Sequence, residues 1–97
     1  MMTLLVLNIR PELEEEMVDY LLGREGVGGF TSYHVRGHGV HDNLSLAEQV
    51  SGQRKRLQFE LVIEEEQVAG ILGNLEASVG RDIIYWQHSI GNVGRIE

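Results

Sequence analysis

The chain has 97 residues, 15 of them acidic and 8 basic, for a formal charge of -7; 42% are hydrophobic and none is cysteine. That length suits a single domain with a modest core, and the acidic balance argues against nucleic acid as a partner. The missing cysteines exclude disulfides, thiolate nucleophiles and cysteine-bound zinc or iron–sulfur centres, leaving histidine, carboxylate and backbone atoms as possible ligands.

Residues 1–7 are largely apolar, but they lack the basic start of a secretory signal and meet Asn8, Arg10 and Pro11 too soon. No apolar run approaches the roughly 20 residues of a membrane span, so no membrane insertion and a cytoplasmic location are expected. Residues 4–9, Leu-Leu-Val-Leu-Asn-Ile, instead read as a strand buried on both faces. Pro11 suits a first helical turn, the acids after it favour the positive helix end, and Leu13, Met17, Tyr20, Leu21 and Arg24 recur at helical spacing; a helix runs to about Gly23. Gly26, Gly28 and Gly29 break the chain before a second strand over 30–35, whose alternation sets Tyr33 and Val35 opposite His34 and Arg36.

Residues 37–53 are polar and too long for a tight hairpin, and such connections are usually functional or mobile. Within them 45–50 suggests a helical turn, with Ser45 and Glu48 at the spacing of a reciprocal cap. Arg54-Lys55-Arg56 reads as the solvated entrance to a strand rather than as an anion site, and in the strand over 57–63 Leu57, Phe59, Leu61 and Ile63 alternate with Gln58, Glu60 and Val62. Glu64 to Glu66 open a second helix, with Val68, Leu72, Leu75 and Val79 as its buried stripe and Gly80 near its end. A fourth strand over 83–88 and a glycine-punctuated tail complete the chain.

The order β-α-β-β-α-β predicts an α+β domain, a ferredoxin-like plait with four antiparallel strands and both helices on one face. The other face is left bare. Tyr33 or His34, Val62, and Trp86 or Tyr85 are its candidates, and an uncovered, half-apolar sheet normally packs against another subunit.

Chemistry is densest in 34–41. Gly37 and Gly39 let the main chain approach a ligand closely. His34 and His38 project to one side of a strand and His41 could fold back to them, a set able to hold zinc, copper or nickel, although the spacing matches no specific metal motif. Trp86 and Tyr85 read as core or interface, His88 as an interface residue, and Glu60 and Glu64 as solvated carboxylates. Phosphate loops, nucleophile elbows and HExxH motifs are missing, so no enzyme is expected.

The second strand ending in Val35-Arg36-Gly37-His38-Gly39, the long loop after it and the 57–63 strand resemble the PII-like signalling proteins, over essentially the whole chain. More narrowly, Gly37-His38-Gly39, Glu48-x-Val50-x-Gly52 and Gly94-Arg95-Ile96 are similar to an uncharacterised PII-like family often encoded beside heavy-metal efflux pumps. The resemblance implies a homotrimer with ligand clefts between subunits. Gly37, His38 and Gly39 would line the cleft at the base of the T-loop, and Gly80, Arg81 and Arg95 would approach from across the interface, where arginine suits an anion. The ligand would be a transition metal or an adenine nucleotide, and the loop would act on a membrane cation-efflux transporter. The chain departs from the nucleotide-binding members in its short Gly80-Arg81-Asp82 turn and in a tail that keeps Arg95 beside Glu97. Two alternatives share the plait: a dimeric cofactor-free oxygenase with His34, Tyr33 and Trp86 around a pocket, and a CutA-like metal-tolerance trimer.

Overall fold

The computed structural model describes residues 1–39 and 53–97. Strand β1 spans Met2–Ile9. A 3-10 turn at Pro11–Leu13, with proline where the amide needs no partner, leads into helix α1, Glu14–Leu22, whose first turn carries Glu14, Glu15 and Glu16 at the positive end of the helix dipole. Strand β2 is Thr31–His38 and β3 is Gln53–Glu64. A second 3-10 turn, Glu65–Gln67, precedes helix α2, Val68–Ser78, and strand β4 is Ile84–Ser89.

The sheet runs β2-β3-β1-β4 with every neighbouring pair antiparallel, which is the expected ferredoxin-like plait. Alternation in β1 and β3 sends Leu5, Leu7, Ile9, Leu57, Phe59, Leu61 and Ile63 to one face, where they meet Met17 and Leu21 of α1 and Val68, Ile71 and Leu75 of α2. Each such apolar side chain contributes about 1.5–3 kcal/mol of burial, and together they fix the helices on that face. Tyr20 adds a polar pin, its Oη donating to the carbonyl of Ile71 at 2.7 Å.

Three expectations change. The strands β2 and β3 reach further than predicted, pairing Val35 with Arg56, Arg36 with Lys55, Gly37 with Arg54 and His38 with Gln53. Gly37 and His38 therefore belong to the ladder, and the connection is 39–52 rather than 37–53. Arg54, Lys55 and Arg56 lie within a strand and are not its solvated entrance; Arg56 is 2% exposed. In α2 the fully buried place falls to Ile71, with Leu72 packing at the margin, because the 3-10 turn shifts where the helical phase begins. The turn predicted at 45–50 lies outside the described residues.

The second sheet face carries no helix. Register sets Leu4, Val6 and Asn8 of β1 between Val62, Glu60 and Gln58 of β3 and His88, Trp86 and Ile84 of β4, with Tyr33 and Val35 of β2 on the same side. Tyr33, Val62, Ile84 and Trp86 remain 38–49% exposed there. The face thus takes Tyr33 and Trp86, while His34 and Tyr85 point to the other side.

Candidate functional site

The open face is crossed by a connected row of polar side chains. Arg56 reaches from β3 over β1, its Nε donating to Asn8 Oδ1 at 2.6 Å and its Nη2 to the Asn8 carbonyl at 2.8 Å. The same guanidinium holds the turn before β4, with Nη2 on the Asp82 carbonyl at 2.8 Å and Nη1 on Asp82 Oδ2 at 3.1 Å. Arg54, two residues along the strand, forms an ion pair with that same carboxylate oxygen. Asp82 adopts φ 63°, a left-handed conformation that aspartate tolerates better than most residues, and the two arginines hold it there.

From Asn8 the row continues. Asn8 Nδ2 donates to Gln58 Oε1 at 3.1 Å, Gln58 Nε2 donates to Tyr33 Oη at 2.8 Å, and Tyr33 Oη donates to Glu60 Oε2. The bond to Glu60 stabilises the protonated phenol and raises the Tyr33 pKa above the ordinary tyrosine value. Apolar side chains flank the row, so the face combines a satisfied polar spine with exposed aromatic and aliphatic margins.

A hollow of about 240 Å³ lies at the arginine end, bounded by Asn8, Val35, Arg54, Arg56, Ile84 and Trp86. Gly37 borders it too, opposite Arg54 in the ladder. Gly39 takes φ 117° at the end of β2, a conformation that suits glycine. Gly80 has φ 149°, and a Cβ there would stand 3.2 Å from Leu13 Cδ1, so this glycine lets the turn close on the core. Gly80 and Arg81 border a separate hollow of about 220 Å³ beside Leu72 and Glu76. The Arg81 side chain is 85% exposed with its Nε on Glu76 Oε1 at 2.9 Å, and Arg95 is 87% exposed beside Glu97. Within one protomer, therefore, Gly37, His38 and Gly39 are neighbours along β2, Gly80 and Arg81 stand at another hollow, and Arg95 lies on the tail.

His34 and His38 share a face of β2, as expected, but four extended residues separate their Cα atoms by about 13 Å. Among the described residues no three histidine, aspartate or glutamate side chains are grouped as a metal site. His41 lies outside the described residues. His34 instead borders a hollow of about 460 Å³ with Pro11, Arg36 and Lys55. Tyr33 and Trp86 point to the open face and His34 to the other, so the three do not surround one pocket, and the space between sheet and helices is filled by the core.

Sequence reasoning missed Asn8 and Asp82, and it ranked an anion-site role for Arg54 and Arg56 below a solvated one. One signal was present: carrying the alternation of 57–63 back along the chain puts 54 and 56 in phase with Gln58, on the face away from Leu57 and Phe59.

A family model described as "Protein of unknown function (DUF3240)" matches residues 1–97. The chain belongs to the DUF3240 family. The crystal structure of a DUF3240 family protein from Shewanella baltica OS155 aligns with a TM-score of 0.81 at 24% identity, over 99% of this chain and 97% of that one. At that identity the likeness establishes a shared fold. No curated protein matches the chain. Among the described residues of this DUF3240 chain, no helix is long and apolar enough to cross a membrane.

Proposed function

We propose that this DUF3240 chain is a small PII-like regulatory protein rather than an enzyme. It assembles through its open sheet face into a homotrimer and takes a small ligand in clefts between subunits. The observation that carries this reading is the open face itself: Tyr33, Val62, Ile84 and Trp86 stand exposed on the sheet face that no helix covers, opposite the face that packs the core, and hydrophobic patches of this kind serve association. The extended β2–β3 ladder supports the regulatory part, because it leads from that face to the 39–52 connection and sets Gly37 and His38 at its root.

In this reading Gly37, His38 and Gly39 of one subunit meet Gly80, Arg81 and Arg95 brought by assembly, which would unite groups that lie apart within a protomer. The ligand is a transition metal taken by histidines drawn from His34, His38 and His41 of neighbouring subunits, since His34 and His38 of one strand stand too far apart to share an ion, or an adenine nucleotide held by the arginines. Occupancy is passed through the β2–β3 connection to a membrane cation-efflux transporter.

Native mass spectrometry tests this, on the protein alone and with zinc, copper, nickel, ATP, ADP or AMP, and on His38→Ala and Arg95→Ala. A trimer that takes one ligand per subunit, lost in the matching variant, is the expected result. A monomer or dimer that binds none of them would overturn the proposal.

A further inference from the structure

Arg54 is a cation nearly withdrawn from water, with its side chain 11% exposed. Its described partner is one oxygen of Asp82, which Arg56 engages as well. A guanidinium has five N–H donors in a planar fork suited to two oxygens of one anion, so a shared carboxylate oxygen leaves much of Arg54's capacity unused. A buried cation is costly unless well paired, and the arrangement favours a further oxyanion beside it.

The surroundings match. The 240 Å³ hollow has Arg54, Arg56 and Asn8 at its polar end and Val35, Ile84 and Trp86 as apolar walls, the mix of a few convergent polar groups and apolar lining found in small-molecule sites. Asp82 sits in a turn at φ 63° and borders the 220 Å³ hollow on its far side, so its carboxylate has space to withdraw into.

We propose that Arg54 and Arg56, with Trp86 as a wall, form a binding site for a small organic anion, a carboxylate or phosphate on a flat apolar body, and that Asp82 occupies the anion's place when the site is empty. Asp82 is thus an internal competitor. Entry of the ligand releases the 80–82 turn from β3 and couples the site to the β4 edge of the open face. The site is built by one protomer and is separate from the clefts proposed above; it lies at the arginine end of the open face, so it requires that assembly leave that end of the face uncovered.

Trp86 is the sole tryptophan of the chain, so its emission reports on this hollow. The experiment titrates the protein with phenyl phosphate and with benzoate, against sodium chloride at matched ionic strength and against inorganic phosphate. A saturable change with one of the aromatic anions is expected, with affinity raised about tenfold in Asp82→Asn, where the competing charge is gone, and lowered at least about tenfold in Arg54→Gln. Circular dichroism checks the fold of each variant. If Asp82→Asn does not fold, Asp82→Gly, which accepts the same φ, takes its place. Absence of a saturable response in both the native chain and the Asp82 variant would overturn the proposal, as would equal affinity in Arg54→Gln. None of these residues is varied in the mass-spectrometric test, so either reading can fail alone.

Discussion

Arg56 does at one position what several residues usually share: it ties β1, β3 and the turn before β4 through Asn8 and Asp82. Its removal takes away the donors that Arg56 gives to the Asn8 side chain and carbonyl and to the Asp82 carbonyl and carboxylate. Arg56→Met, which keeps the unbranched apolar stem but not the donors, is expected to lower stability by on the order of 3 kcal/mol, seen as a lower urea midpoint with an unchanged slope. A variant as stable as the native chain would make the network incidental. This role was hidden in the sequence because Arg-Lys-Arg runs are usually solvated, and because Asn8 and Asp82 lie 48 and 26 residues away from Arg56. A long separation in sequence likewise hid the close approach of Leu13 to Gly80.

At the scale of elements, periodicity and residue type together were sufficient. Alternation at 57–63 and helical spacing at 13–24 and 68–79 gave β3 and both helices, since each records which side of an element is buried, while the apolar run at 4–9 and the aromatic and β-branched stretches at 30–35 and 83–88 gave the other strands. Boundaries were less legible. Strands β2 and β3 continue into polar residues whose pairing, not hydrophobicity, keeps them extended. Helix α2 shows how local preference yields to packing. It contains Gly70 and Gly73. A Cβ on Gly70 would meet Arg24 Nη2 at 2.8 Å, whereas one on Gly73 meets nothing within 4 Å. Gly73→Ala is therefore expected to stabilise the fold by about 0.5–1 kcal/mol through reduced freedom of the unfolded chain, read as a higher midpoint in thermal unfolding. Gly70→Ala should gain less, since Arg24 must first move aside.

For the whole molecule the question is what covers the open face. Val62 is 42% exposed in the protomer, so a charge there is tolerated by the monomer but not by a dry interface. Val62→Lys is expected to reduce the sedimentation mass from an oligomer to a folded monomer. Retention of the native mass would remove this face from the interface. The sequence by itself determined the element order, the packed faces of β3 and α1 and the plait the elements form, because burial leaves a periodic trace in neighbouring residues. It also identified an uncovered face. Only the tertiary structure decided that Tyr33 and Trp86, rather than His34 and Tyr85, lie on that face, and that Arg54, Arg56, Asn8 and Asp82 meet at its end. Those outcomes depend on strand register and on contacts between residues far apart along the chain, and neither leaves a periodic mark in the residues nearby.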